Sequence, residues 1–270
     1  MIGWRSTSLI AVLASLIVAF QTGQVPPDKV FHRWAKVKWV ATADAPFLPI
    51  RNEMKAARAA VKTFDFSGKL PRRADALIQA YKKRPNDAVL LYRASATYLT
   101  ARSIDYTYDT GSITGWRMNV LMKGWEEIDS PPSYEFARMG YGMVAGWPQD
   151  VDLMPLADRL LKRNPVDDLV VPGFVMEVYN RGYDRARCVQ AIQLAKAYQA
   201  RHPEWAAPHA LISTGYVARF MKYREKADID AAIRHYDDYL ARVPKGFPSL
   251  KGARDWRAIL VKWQKAGRPV

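Results

Sequence analysis

ADALIQAYKKRP (residues 74–85), PLADRLLKRNP (155–165), CVQAIQLAKAYQARHP (188–203) and AAIRHYDDYLARVP (231–244) end alike. Each is a helix-like run rich in Ala, Leu or Tyr, then one or more basic residues, then proline. Pro85, Pro165, Pro203 and Pro244 are spaced by 80, 38 and 41 residues. The first interval spans two of the others, with a less regular member ending at Pro131-Pro132. A period near 40 is the mark of stacked helix pairs.

The agreement continues past the proline. NDAVLLYRASATYLTAR follows Pro85 and EWAAPHALISTGYVARF follows Pro203. Both carry Ala three residues on (Ala88, Ala206), Ser ten on (Ser95, Ser213) and Tyr thirteen on (Tyr98, Tyr216). Small residues (Ala94, Ser95, Ala191, Ala232) let paired helices approach closely, and large ones (Leu91, Tyr98, Tyr236) fill the space between pairs. Proline ends each second helix because its ring and missing N–H forbid continuation. The basic residues before it (Lys82, Lys83, Arg84; Lys162, Arg163; Arg201; Arg242) complement the negative end of the helix dipole.

In these residues the chain resembles the tetratricopeptide family, whose repeat reads W-x2-L-G-x2-Y, then A-x3-F, then P. Leu91 stands in the Trp place, Ala94-Ser95 in the Leu-Gly place and Tyr98 in the Tyr place. Ala232, Tyr236 and Pro244 fill the Ala, aromatic and Pro places of the last unit. Ala191 and Pro203 match in the unit before it, where Ala195 replaces the aromatic. The match covers about three helix pairs. It implies an all-α fold, a right-handed α-α superhelix of about five to six pairs over residues 50–270.

The pattern predicts helices at about 50–63, 72–84, 87–102, 114–127, 133–145, 149–163, 167–181, 184–201, 205–222 and 228–242. A capping helix follows over 250–267. No period-two alternation extends over several strands, which disfavours a β-sheet.

Residues 8–20 (SLIAVLASLIVAF) form an apolar run of signal-peptide length, shorter than the ~20 residues of a membrane span. Residues 1–23 are read as a signal peptide with a cut after Gly23, or as an uncleaved signal anchor held by residues 8–20. Either implies export, to the periplasm or outside the cell. Residues 24–49 form a lead-in, exposed and amphipathic or irregular over 28–42. There Lys29 to Lys38 interleave basic and aromatic residues. This stretch is read either as a surface-lying, membrane-proximal segment or as a ragged first helix.

The chain carries 41 basic and 26 acidic residues. Removing Arg5 with the signal leaves 40 basic ones, a charge of about +14 that favours anionic neighbours such as membrane or envelope polymers. Much of this excess belongs to helix ends, which argues against nucleic acid. Cys188 is the only cysteine. It allows no intramolecular disulfide and reads as a small buried hydrophobe.

No catalytic, metal or cofactor set is read. Gly111-Ser112-Ile113-Thr114-Gly115 has its serine one place early for a nucleophile elbow. His32, His202, His209 and His235 form no i, i+4 pair. His202 reads as a helix C-terminal residue and His235 as part of a solvated face. Glu126-Glu127, Asp167-Asp168 and Asp237-Asp238 are adjacent doublets, which point about 100° apart on a helix. Asp167 or Asp168 reads as a helix N-cap.

Residues 103–116 (SIDYTYDTGSITGW) are inserted between the two helices of one pair. The insertion holds Tyr106, Tyr108 and Trp116, and either packs on the helices or binds. The resemblance further implies that first helices line a concave face that takes a protein or peptide. On that face it places Tyr92, Leu99, Met176, Tyr179 and Asn180, joined by Tyr106, Tyr108 and Trp116. The leading expectation is an exported scaffold rather than an enzyme. The alternatives are a polysaccharide-acting enzyme with two carboxylates about 5–10 Å apart in a groove, and a basic anchor protein whose binding falls steeply with salt.

Overall fold

The structure, a computed structural model, describes residues 34, 36, 38–60, 69–104, 115–128, 133–145, 152–243 and 250–270. Residues 1–23, expected to be a signal, Pro131-Pro132, most of the insertion including Tyr106 and Tyr108, and Pro244 lie outside them. The described residues contain no strand. A 3₁₀ turn at Ala41–Asp44 precedes eleven α-helices among them. These are α1 (Leu48–Ala60), α2 (Lys69–Lys83), α3 (Ala88–Ile104), α4 (Gly115–Glu126), α5 (Tyr134–Val144) and α6 (Met154–Arg163). After them come α7 (Val170–Arg181), α8 (Arg185–Arg201), α9 (Ala207–Tyr223), α10 (Lys226–Arg242) and α11 (Leu250–Ala266). Each corresponds to one of the expected helices.

The proline rule is visible in atomic detail. At Pro85, Pro165 and Pro203 the residue before proline accepts a hydrogen bond from the N–H two residues after it. The pairs are Asp87 to Arg84 (3.1 Å), Asp167 to Asn164 (3.3 Å) and Trp205 to His202 (3.1 Å). The same turn thus opens α3, α7 and α9. In the first two, an aspartate caps the new helix. Asp87 Oδ1 accepts from Leu90 N at 2.9 Å, and Asp167 Oδ1 from Leu169 N (2.9 Å) and Val170 N (3.1 Å). Asp167 is fully buried. We expect Asp167→Ala to lower the unfolding free energy by about 1–2 kcal/mol, at the upper end for a lost N-cap. A urea titration followed by circular dichroism measures it; an unchanged midpoint would remove the cap from the account.

The helices group into two compact units, divided within α6. In the first, residues 22–144 with 149–160, α3 packs against α1, α2, α4 and α5. A helix surrounded in this way is apolar on most of its faces, and residues 90–92, 94–98, 100 and 101 are buried, with Arg93 and Leu99 half-buried between them. Ser95 Oγ accepts from Trp125 Nε1 at 2.9 Å, tying α3 to α4. Trp34, Phe47, Tyr92, Trp125 and Phe136 form one aromatic cluster, tightest at Trp125–Phe136 with centroids 4.4 Å apart.

Trp34 belongs to the lead-in, expected either as a surface-lying segment or as a ragged first helix, and it is not exposed. Its ring is wholly buried, and Nε1 donates to Ile128 O at 3.1 Å. A Cβ at Gly140 would lie 2.4 Å from that ring, so glycine is what admits the tryptophan against α5. Trp39, half-buried, lies under the Arg159 guanidinium at 3.8 Å and edge-on to Tyr134. Lys36 and Lys38 remain exposed. These two lysines meet solvent, whereas Trp34 joins the core and Trp39 is half-buried, so the two tryptophans do not form an exposed aromatic face.

In the second unit, residues 161–270 with 145–148, α7 packs on α8 and α9, α8 on α9, α9 on α10 and α10 on α11. The Ser213 hydroxyl donates to Ala232 O at 2.8 Å, tying α9 to α10. Ser213 therefore repeats the linking role of Ser95 at the same distance past the turn. Gly215 gives Ile192 room: an added Cβ would stand 2.9 Å from its Cγ1. Arg219 grips Asp228 across the α9–α10 hairpin with two hydrogen bonds. Arg257 and Gln264 fasten α11 to Asp237 and Asp230 of α10. Gly182, in the left-handed region at φ 61°, ends α7, and its N–H bonds Val178 O.

Candidate functional site

The residues expected on the concave face divide between the two units and between core and surface. Tyr92 and Met176 are buried. This corrects their assignment to an open face, since α3 is enclosed on several sides and residues 173–178 of α7 are buried without a break. Leu99 of α3, Trp116 of α4, and Tyr179 and Asn180 of α7 are half-buried and reach the surface in part. Trp116 belongs to the first turn of a helix rather than to a loop, with the Arg117 guanidinium 5.1 Å from its ring. Burial raises the Tyr179 hydroxyl above its ordinary pKa.

Two polar clusters stand out. The first surrounds Glu135, whose carboxylate is buried. Arg51 Nη1 donates to its Oε1, and Arg138 Nη1 to Oε2 at 3.3 Å. The Tyr92 hydroxyl lies 3.4 Å from Oε2, and the Glu135 N–H donates to Asp44 Oδ1 at 2.8 Å. Burial, and then the Glu135 charge, hold the Tyr92 hydroxyl well above its ordinary pKa. The Glu135 carboxylate is thus held between two guanidiniums. That arrangement positions α5 against α1 and the 3₁₀ turn.

The second cluster lies on the α9–α10 hairpin. His235 and Asp238 sit three residues apart on α10, on neighbouring faces of one turn. His209 faces them from α9, with Nδ1 3.7 Å from Asp238 Oδ2. Ligand atoms of all three fall within 4.8 Å of one another. His209 and Tyr216 are two turns apart on α9 and flank the His235 ring, with centroids 6.3 and 5.9 Å away. Tyr216 stacks almost parallel on His235, at 11°. From α8, Gln199 meets the His209 ring and Lys196 Nζ lies 3.1 Å from the Tyr216 hydroxyl.

His209 is buried, His235 half-buried and Asp238 exposed. Burial is the largest cause that lowers the pKa of both imidazoles. His235 is therefore no solvated-face residue: its Nδ1 is buried and has no hydrogen-bond partner among the described residues.

This cluster escapes a search for i, i+4 histidines because it joins two helices. The antiparallel register supplies it: with Ser213 against Ala232, His209 falls opposite residues 235–236. The remaining candidates have structural places. His202 ends α8 and stacks on Trp205 at 3.9 Å. Cys188 is buried, and burial pushes its thiol pKa up. Glu126 is raised by burial and then by the Glu127 charge. Asp237 is held by Arg257.

No protein-family model, curated protein or solved structure matches the chain. Among the described residues, no helix is long and apolar enough to cross a membrane.

Proposed function

We propose that the chain is an exported scaffold of tetratricopeptide-like helix pairs, stacked as a superhelix, that binds a protein or peptide in the cell envelope. The observation that carries this reading is the recurrence of one unit. The same proline turn opens α3 and α9, and the serine ten residues on then ties each helix to the next, through Trp125 in one case and Ala232 O in the other. Repeated helix pairs build extended surfaces, and such surfaces serve recognition. The contact positions are Leu99, Trp116, Tyr179 and Asn180, joined by Tyr106 and Tyr108 of the insertion. The basic excess adds attraction to anionic membrane or envelope polymers.

A photo-crosslinking residue placed at Leu99, Tyr179 or Asn180 tests this reading in cells. The expected result is one shared protein adduct from these positions, and none from Gln193, an exposed position of α8. Equal adducts from Gln193, or none from any position, would reject the contact surface. Capture of polysaccharide instead would favour an enzyme of the envelope.

A further inference from the structure

We propose that His209, His235 and Asp238 form a binding site for one divalent transition-metal ion of the zinc type. Two imidazoles and one carboxylate are a donor set suited to such an ion, and three protein ligands leave a position for water. Their ligand atoms lie within 4.8 Å of one another. A tetrahedral zinc with bonds of about 2.0–2.1 Å needs them about 3.3 Å apart. Reaching that spacing requires the ligands to close in, and Asp238, whose side chain is exposed, is the member with room to move.

Three further observations fit. His235 Nδ1 is buried with no hydrogen-bond partner among the described residues, a condition that a metal ion relieves. The His235 ring is flanked by His209 and Tyr216, which fix its plane. Gln199 Nε2 lies 3.1 Å from His209 Nε2 and 3.4 Å from Nδ1. Turning that amide end for end puts its carbonyl oxygen where it accepts from Nε2–H. Nδ1 then keeps its lone pair on the side of Asp238, the kind of outer support that metal-bound histidines carry.

Positive groups oppose the ion and limit its affinity. Arg242 lies 3.9 Å from Asp238 Oδ1 and donates to Asp238 O at 2.9 Å, while Lys196 and Arg234 act on His235. The ion must therefore be held by coordination rather than by field, which selects zinc, nickel or copper over magnesium.

The test is titration of the full chain, without an affinity tag, with Zn²⁺ against a chromophoric chelator. Co²⁺ serves as a spectroscopic probe. We expect one ion per chain and the visible absorption of tetrahedral cobalt, neither displaced by Mg²⁺. His235→Gln and Asp238→Asn each weaken binding by more than about tenfold, the loss that even an outer-sphere change brings. His202→Gln leaves it unchanged. Circular dichroism checks the fold of each variant, and Asp238→Asn alters only an exposed side chain. Sub-stoichiometric binding, or affinity that survives both His235→Gln and Asp238→Asn, would overturn the site.

Discussion

Trp125→Ala is expected to lower the unfolding free energy by about 3–5 kcal/mol, the range for truncating a fully buried large aromatic. Trp125 has no exposed surface and touches two partners of the aromatic cluster, Phe136 at 4.4 Å and Trp34 at 6.0 Å. Its Nε1 also satisfies the buried Ser95 hydroxyl. Truncation therefore opens a cavity and strips a hydrogen bond from α3 in one step. Ser95→Ala separates the two effects. It leaves the indole in place and should cost only about 1–3 kcal/mol for the orphaned donor. Urea unfolding followed by fluorescence and circular dichroism reads both. Equal losses for the two variants would mean that packing around Trp125 is loose.

Glu135→Ala should be as severe, by about 3–5 kcal/mol, for a different reason. Arg138 is as deeply buried as Glu135, and the one carboxylate pairs with both Arg138 and Arg51. Removing one member leaves a buried guanidinium short of its anion, which costs more than the intact cluster ever contributed. Glu135→Gln keeps the shape and removes the charge. A loss close to that of alanine would show that charge, and not packing, sets the penalty. Recovery with glutamine to within about 1 kcal/mol would assign the cluster a hydrogen-bonding role instead.

Helix positions were legible because proline and basic residues punctuate this sequence in a fixed order, and punctuation is local chemistry. The small and large residues of the repeat were legible for the same reason. Ala94, Ser95, Ala191 and Ala232 are buried, as are Leu91, Tyr98 and Tyr236, and Ser95 and Ala232 O each take part in a bond to a neighbouring helix.

What escaped depends on partners distant in sequence. Trp34 stands among lysines and arginines, and nothing within ten residues reveals that Gly140 leaves a gap for it. Tyr92 was placed outward because a regular repeat exposes part of its first helix. The enclosure of α3 by four other helices is a property of neighbours, not of α3's own pattern. Tyr98 and Tyr216 occupy one repeat position yet differ. Tyr98 is sealed in the core, while Tyr216 is half-buried against His235, and only the companion helix separates their fates. The same holds for the histidine cluster, which exists only once the α9–α10 register is fixed.

The position of Trp34 also constrains the order in which the chain can become itself. Its backbone oxygen accepts from Arg159, 125 residues downstream, and its ring waits for Gly140. Chain growth is vectorial and slow beside local helix formation. The setting of Trp34 is therefore completed only when α5 and Arg159 of α6 are made, although Trp125 of α4 and Ile128 O meet its ring earlier.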